Sequence, residues 1–144
     1  MELKFITASH DDVEDIYFAV KSVYEWFEPK TSDIQPLLMN VYRRIKDNIG
    51  SYAVVKLHGQ KAAYYCFREK DGKAYIDDLY VRSDFRNFGI GSEIIRRCIS
   101  QTEADVNTEL HSANVMAVSL FRRMGFTEAA KIGANKLLMC RKNT

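Results

Sequence analysis

The sequence predicts an α/β fold in which helices pack on one mixed sheet, and three observations support this fold class. Apolar residues alternate along seven stretches and recur at helical spacing along four others, which gives the order β-α-α-β-β-β-α-β-α-β-β. The 144 residues have a hydrophobic content of 47%, which is enough for one core. No repeat, linker or low-complexity segment divides the chain. We therefore expect a single domain over residues 1–144.

The N-terminal part of the chain predicts one strand and two helices. Residues 3–7 alternate as a strand, and a segment with an apolar face at helical spacing follows. Pro29 ends this helix, because proline cannot continue the hydrogen-bond ladder. Ser32 or Asp33 then caps a second helix that ends near Gly50. Three basic residues along this helix are interpreted as a solvated face: Arg43, Arg44 and Lys46.

The middle of the chain predicts a run of three antiparallel strands. The strand-like stretches are rich in β-branched and aromatic residues and follow one another closely: residues 52–57, 61–68 and 74–81. His58-Gly59-Gln60 suits a hairpin turn, and Asp71-Gly72 makes a second tight connection. The third strand contains two adjacent carboxylates, Asp77 and Asp78, which is unusual in an apolar strand.

The last part of the chain predicts three further strands and one helix between them. The strands are residues 106–111, 126–131 and 136–141. Asn114 begins the helix, and Gly125 is placed to end it. The last two strands form a closing hairpin around Gly133-Ala134-Asn135.

The composition excludes several functional classes. The net charge of +2 arises from 21 basic and 19 acidic residues that are interspersed, so bulk charge does not imply nucleic-acid binding. No apolar run approaches the roughly 20 residues that cross a bilayer, and the N-terminus lacks the layout of a signal peptide, so we expect a cytoplasmic protein. The cysteines and histidines have neither disulfide nor metal-ligand spacing, and no metal is expected: Cys66, Cys98, Cys140, His10, His58 and His111.

A glycine-containing turn joins the strand of residues 74–81 to a helix that begins near Ile90. Within Arg86-Asn87-Phe88-Gly89-Ile90-Gly91, both glycines lie where the helix begins. The first turn of a helix has unpaired N–H groups and the positive end of the helix dipole, and glycines let a pyrophosphate approach them. The alternative is that the glycines only allow tight packing of the helix on the strand. The spacing fits neither the dinucleotide fingerprint nor the P-loop.

The spacing Arg-x-x-Gly-x-Gly after Leu79-Tyr80-Val81 resembles the acetyl-CoA-binding motif of the GCN5-related N-acetyltransferases, the GNAT family. The stretch Asn114 to Phe126 is similar to the other signature of that family, N-x-x-A-x-x-[LF]-Y-x-x-x-G-F, with Phe121 at the tyrosine position. The two motifs in this order identify the chain as a member over essentially its whole length. The resemblance implies the GNAT fold, in which the strand before the glycines and the strand after the helix splay apart.

The resemblance also implies an acetyl-CoA-dependent N-acetyltransferase. In that family an amine acceptor, either a small molecule or a peptide or protein amine, attacks the thioester directly in a ternary complex. Acetyl-CoA is then a cosubstrate, and similar proteins are commonly homodimers. The implied cofactor-binding residues lie on the strand, on the glycine turn and on the later helix: Leu79, Tyr80, Val81, Arg86, Asn87, Phe88, Gly89, Ile90, Gly91, Ser92, Asn114 and Phe121.

Three carboxylates are candidates for the base that the reaction needs. A protonated amine has no lone pair, so a base must accept its proton. Glu109 lies five residues before Asn114, where several family members have a catalytic glutamate, and it is the first choice. Asp77 and Asp78 are the rivals, and only one of them is expected to face the cleft because neighbouring strand residues face opposite sides. The alternative for each is a salt-bridged or solvent-facing carboxylate.

Phe121 departs from the family pattern. Many members have a tyrosine there that protonates or hydrogen-bonds the leaving sulfur, and phenylalanine lacks the hydroxyl group. Another donor then serves, with three candidates: Tyr80, Tyr75 and Ser119. Alternatively the thiolate leaves unassisted, since the pKa of a thiol is about 8.5. The third alternative is a catalytically weak acetyl-CoA-binding sensor or regulatory module.

The acceptor side of the site has weaker signals. The aromatic and acidic loop Tyr24 to Glu28 lies where the first two helices of the family meet over the acceptor site. It either helps bind a cationic or aromatic amine or packs in the core. His111 shares the strand face of Glu109 and either joins the site or is structural.

Overall fold

The structure is a computed structural model that describes residues 2–28 and 33–143. Its helices and strands follow the predicted order, which confirms the mixed α/β fold. The strands are β1 (Leu3–Thr7), β2 (Tyr52–Leu57), β3 (Gln60–Lys70), β4 (Lys73–Val81), β5 (Val106–His111), β6 (Thr127–Ile132) and β7 (Lys136–Arg141). The helices are α1 (Val13–Phe27), α2 (Gln35–Asp47), α3 (Ile90–Ser100) and α4 (Val115–Arg123).

The seven strands form one sheet in the order β1-β2-β3-β4-β5-β7-β6. Neighbouring strands are antiparallel except for β4 and β5, which are parallel and are joined by the crossover helix α3. Such a crossover is what parallel neighbours require, because a tight turn cannot connect them. The N-termini of α3 and α4 therefore lie at the carboxyl ends of β4 and β5, which is the usual position of a ligand site in such units.

Helices cover both faces of the sheet. We call the face that α1 and α2 cover the front face, and the face that α3 and α4 cover the back face. The front core contains Val13 and Ile16 of α1 and Ile45 of α2. The back core contains Ile94 of α3 and Phe121 of α4. Each helix thus buries the apolar stripe that its sequence periodicity predicts.

The central strands β4 and β5 separate soon after they begin. Their ladder consists of two pairs, Ala74 with Val106 and Tyr75 with Asn107. Beyond these pairs the remaining residues of β4 have no partner strand on that side within the described part of the chain. The splayed pair that the family resemblance implies is therefore confirmed, and the gap opens toward the N-termini of α3 and α4.

Two boundaries of α2 differ from the sequence-based expectation. The helix ends at Asp47, before Gly50, because the chain turns into a short 3-10 helix. Its N-cap position falls on Ile34, whereas Asp33 accepts a hydrogen bond of 3.0 Å from the Gln35 N–H. The other residues expected at these helix ends lie outside the described part of the chain: Pro29 and Ser32.

None of the helices in residues 2–28 and 33–143 is long and apolar enough to span a bilayer.

Candidate functional site

The turn between β4 and α3 presents a row of free backbone donors. The N–H groups of residues 87–92 have no acceptor among the described residues, and the first bond of the helix runs from Glu93 to Gly89. Asn87 and Gly89 have positive φ angles of 69° and 78°, which bend the chain so that these donors follow one another around the helix start. Such a concave row of donors at a helix N-terminus binds anions.

The two glycines of this turn serve different purposes. Gly89 is the N-cap of α3 in the left-handed region, and no atom lies within 4 Å of the place its Cβ would take. Gly91 is buried, and a Cβ there would lie 2.9 Å from Leu120 Cδ2 on α4. Packing therefore explains Gly91, whereas the open turn and its backbone conformation explain Gly89.

Arg86 and Phe88 flank this row of donors. The Arg86 Nε donates a hydrogen bond of 3.1 Å to the Val81 carbonyl, and its guanidinium lies 5.8 Å from the centroid of the Tyr80 ring. Phe88 is 60% exposed, and it lies between the two positive-φ residues. The row of donors is thus flanked by the positive charge of Arg86 and the exposed aromatic ring of Phe88.

The free edge of β4 has its own unpaired groups. The Ala74 N–H donates to Asp105, on the side of β5, and the Arg82 N–H donates to Ala62, on the side of β3. Successive N–H groups of a strand point to opposite sides. Because the Arg82 N–H points to β3, the N–H groups of Leu79 and Val81 point into the gap. The Tyr80 main chain was expected to face the gap with them. Its main chain instead faces β3, because Tyr80 pairs with Tyr64.

A β-bulge interrupts β4 at the two aspartates. The register between β3 and β4 shifts so that Asp78 and Leu79 both oppose Tyr65, and Asp78 has a φ of 54°. An extra residue resets which side chains face which side. The expectation that only one of the two aspartates faces the cleft is therefore wrong, because Asp77 and Asp78 both lie on the front face.

Both aspartates have arginine partners. Asp77 accepts a hydrogen bond of 2.9 Å from Arg68, and Asp78 accepts one of 2.8 Å from Arg44 of α2. Burial raises the pKa of the Asp77 carboxyl above its usual value, although the hydrogen bond from Arg68 acts in the opposite direction. Arg44 was expected on a solvated face. That interpretation is wrong for Arg44, whose side chain is half-buried, and right for the exposed Arg43 and Lys46.

Glu109 lies across the gap from Asp77 on the same face of the sheet. The last ladder pair joins Tyr75 to Asn107, so two further residues along each parallel strand lead to Asp77 and Glu109. Glu109 is exposed and has no hydrogen bond or ion pair with any residue in the described part of the chain. Of the three candidate carboxylates, it is the one whose oxygens are free to accept a proton from a ligand.

The end of α1 covers the front face beside Glu109. The His111 ring stacks on Phe27 with centroids 5.4 Å apart, and its Nδ1 accepts a hydrogen bond from the Ala113 N–H. The His111 Nε2 is buried and has no partner among residues 2–28 and 33–143. The segment expected as an aromatic loop is the last turn of α1 up to Phe27, and its Trp26 is 77% exposed.

The signature residues of α4 have structural contacts of their own. The Asn114 Oδ1 accepts a hydrogen bond of 3.2 Å from the Ala117 N–H and caps the helix. Phe121 is 1% exposed and packs edge-on against Phe126, with ring centroids 5.0 Å apart. Ser119 is exposed and accepts a hydrogen bond from Arg123, on a helix that borders the gap.

Sequence reasoning missed Arg44, Tyr52 and Arg68. The Tyr52 hydroxyl and Arg44 both bind Asp78, and they lie 26 and 34 residues away from it along the chain. Local patterns do not report contacts over such separations. The one available signal was the pair of adjacent carboxylates in an apolar strand, because buried charges require partners.

No group of three or more histidine, cysteine, aspartate or glutamate side chains within residues 2–28 and 33–143 is arranged to hold a metal ion.

Comparisons with known proteins agree with this geometry. A model of the acetyltransferase (GNAT) family matches residues 18–126, whereas a comparison with curated sequences gives no significant match. An acetyltransferase from Thermus thermophilus is similar over 99% of this chain and 97% of its own, with 14% identity and a TM-score of 0.78. PaiA N-acetyltransferase from Thermoplasma acidophilum, solved with coenzyme A, is similar over 99% of both chains, with 14% identity and a TM-score of 0.74. The ribosomal-protein-S18-alanine N-acetyltransferase from Escherichia coli is similar over 99% of this chain and 95% of its own, with 15% identity and a TM-score of 0.73.

Proposed function

Because the chain belongs to the acetyltransferase (GNAT) family, we propose that it transfers an acetyl group from acetyl-CoA to an amine acceptor. The observation that carries this proposal is the row of free N–H groups at residues 87–92, placed at the mouth of the splayed strand pair. A ligand with a pyrophosphate and a long amide-containing arm satisfies both features. The pyrophosphate accepts from the helix start, and the arm pairs with the strand edge.

The chain offers groups for each part of acetyl-CoA. The N–H groups from Asn87 to Ser92, with the charge of Arg86, hold the pyrophosphate. The gap-facing main chain of Leu79 and Val81 pairs with the pantetheine amides as an added strand does. Of the two remaining predicted contacts, Asn114 is the N-cap of α4, whereas the Phe121 ring is buried against Phe126.

The reaction exchanges a C–S bond for a C–N bond. Acetyl-CoA supplies an acyl group that is activated as a thioester. The amine nitrogen attacks the carbonyl carbon, the electron pair of the C–S bond goes to sulfur, and the amine proton goes to a base. A gap-facing N–H donor on β4 is placed to stabilise negative charge on the carbonyl oxygen.

Glu109 is the base that the surroundings favour. Asp77 and Asp78 are already paired with Arg68 and Arg44, so an approaching amine competes with an arginine at either one. Glu109 has no such partner among the described residues and shares their face of the sheet. Asp77 remains the rival, because burial raises its pKa toward that of a working base.

The leaving thiolate cannot receive its proton from residue 121, because this residue is a phenylalanine and has no hydroxyl group. Tyr75 and Tyr80 lie on β4 beside the site, with the arginines Arg68 and Arg86 near their rings. A thiol with a pKa of about 8.5 also leaves without an acid at modest cost. If the thiolate neither receives a proton from Tyr75 or Tyr80 nor leaves unassisted, the presence of Phe121 favours the second candidate function, a weakly catalytic acetyl-CoA sensor.

A calorimetric titration with acetyl-CoA, run beside a thiol-release assay, tests the proposal. The amine panel contains small amines, amino acids and peptides with a free N-terminal alanine. Binding with turnover on any acceptor supports the enzyme. Binding without turnover favours the sensor, especially if Phe121→Tyr gains activity, and absence of binding refutes both functions.

Three further expectations belong to this proposal. We expect the chain to act as one domain over residues 1–144, in the cytoplasm, and as a homodimer. Light scattering behind size-exclusion chromatography measures the mass in solution against the 16.6 kDa of one chain.

A further inference from the structure

Three side chains from separate elements meet at the bulge of β4. The Arg44 Nη2 of α2 lies 2.8 Å from each carboxylate oxygen of Asp78. The Tyr52 hydroxyl, at the start of β2, donates a hydrogen bond of 2.5 Å to the same carboxylate. We call these three residues the bulge cluster. The Asp78 side chain is 10% exposed and Tyr52 is 2% exposed, so the cluster is largely shielded from water.

Asp78 needs such partners because of its backbone. Its φ of 54° lies in the left-handed region, which glycine usually occupies at the first position of this kind of bulge. A residue with a side chain stays in that region when its surroundings hold it there. The carboxylate is held at both oxygens, by a helix on one side and by a strand on the other.

The bulge determines where the edge of β4 points. Without the bulge, strict alternation through Asp78 would point the Leu79 N–H toward β3. With it, the N–H groups of Leu79 and Val81 point into the gap, and the side chains of Leu79 and Val81 pack against the back core. The bulge also follows closely after the last ladder pair, Tyr75 with Asn107, where the strands separate.

The charged and polar residues of the bulge cluster are better explained by a role in holding the bulge in place than by a contribution to the stability of the fold alone. Removing a charge pair from water costs free energy that its attraction often only offsets, and apolar residues would stabilise the same place as well. The Arg44 Nε is buried and has no acceptor among the described residues, so the pair is not optimised for stability.

We propose that Arg44, Tyr52 and Asp78 are positioning residues that hold the bulge, and through it the Leu79 N–H, aimed at the acetyl carbonyl oxygen. This inference rests on the proposed binding of acetyl-CoA. None of the three candidate bases lies on α2. The proposal gives this helix a role in aligning β4, the strand that pairs with acetyl-CoA. The helix that borders the acceptor side is thereby connected to the oxyanion donor through one ion pair.

The test uses acetyl-CoA labelled with ¹³C at the thioester carbonyl, because this probe needs no known acceptor. A hydrogen bond to the carbonyl oxygen moves its ¹³C resonance downfield on binding. Three variants weaken the cluster: Arg44→Met, Tyr52→Phe and Asp78→Gly. The last one tolerates the positive φ and so loses the anchor without strain. Lys61→Met is the matched control, because it breaks an exposed ion pair of 2.7 Å between β3 and α1.

We expect the downfield shift in the wild type and in Lys61→Met, and its loss or reduction in the three cluster variants, with CoA affinity within about threefold. Where an acceptor is known, kcat falls about 10-fold to 100-fold in the cluster variants, below the 10²-fold to 10³-fold cost of losing an oxyanion donor outright. KM for acetyl-CoA changes little.

Two results separate the two levels of the inference. If the variants keep the full carbonyl shift and lose only thermal stability, the bulge cluster is structural and the proposal is overturned, while the proposed function stands. If the wild type does not bind acetyl-CoA at all, the proposed function fails and the role of the cluster fails with it.

Discussion

Glu109, Asp77 and Asp78 lie on one face of the sheet but differ in their partners. The two aspartates face arginines at 2.9 Å and 2.8 Å, and Glu109 faces solvent. A carboxylate already held by an arginine must give up a charged hydrogen bond before it accepts a proton, and such bonds contribute about 1.5–3 kcal/mol. The difference in partners therefore ranks the three candidates, although their positions on the face do not.

Glu109→Gln should lower kcat/KM by about 10²-fold to 10⁴-fold, the usual contribution of a general base, with unchanged acetyl-CoA affinity. Steady-state thiol release and calorimetry measure the two quantities. Glu128→Gln is the control, because Glu128 is an exposed carboxylate of the β6 and β7 hairpin that faces the back of the sheet. If Asp77→Asn shows the large loss and Glu109→Gln does not, Asp77 is the base.

The three cysteines should differ sharply in reactivity. Burial raises the pKa of the Cys66 and Cys98 thiols to about 12, whereas Cys140 is half-buried. At pH 8 a thiol with that pKa is about one part in 10⁴ thiolate, the reactive form. An aromatic disulfide reagent should therefore modify Cys140 first and the other two only on unfolding. Cys140→Ser should remove the fast phase, and a fast phase that persists would contradict this order.

At the scale of elements, the turn between β4 and α3 can be compared with another turn whose glycine has nearly the same φ angle. Gly89 and Gly59 have φ angles of 78° and 77°, and no atom lies within 4 Å of either Cβ position. Gly59 belongs to the hairpin between β2 and β3, whereas Gly89 begins α3 beside the free donors. The same substitution at both positions thus separates backbone strain from ligand binding.

Gly89→Ala and Gly59→Ala should each lower the free energy of unfolding by about 1 kcal/mol, because alanine is strained in the left-handed region. Only Gly89→Ala should also weaken acetyl-CoA binding, by about tenfold, which corresponds to about 1.4 kcal/mol. Urea denaturation and calorimetry measure these changes. Equal acetyl-CoA affinities in the two variants would show that the turn does not hold the ligand.

At the scale of the whole molecule, the gap divides the sheet into two parts. Strands β1 to β4 form one part and β5, β7 and β6 the other, with two ladder pairs between them. A ligand that pairs with the edge of β4 adds hydrogen bonds where the sheet has none. Acetyl-CoA should therefore stabilise the folded state as a whole.

At 100 times its Kd, acetyl-CoA should raise the free energy of unfolding by about 2.7 kcal/mol, as mass action requires for a ligand of the native state. Thermal unfolding with increasing acetyl-CoA measures the effect. Gly89→Ala should gain less at the same ligand concentration. A midpoint that does not move with acetyl-CoA would show that the native state does not bind it.

The sequence predicted the order of elements because each helix and strand has a clear apolar period and a turn at its ends. It also predicted the glycine turn, whose Gly89 has the positive φ that glycine favours. It did not predict the facing of Asp77 and Asp78, because one inserted residue is invisible in a pattern that assumes strict alternation. The partners Arg44 and Tyr52 were equally hidden, because their contacts join distant parts of the chain.

The bulge at Asp78 shifts the alternation of side chains along β4 by one residue. Because Asp77 and Asp78 share the front face, deleting Asp78 would leave Leu79 and Val81 toward the back core and Tyr80 toward the front, whereas deleting a residue of β4 outside the bulge would turn part of the strand over. Outside the bulge, the length of this strand is thus as constrained as its composition, since one residue more or fewer there exchanges the two faces of the strand beyond it.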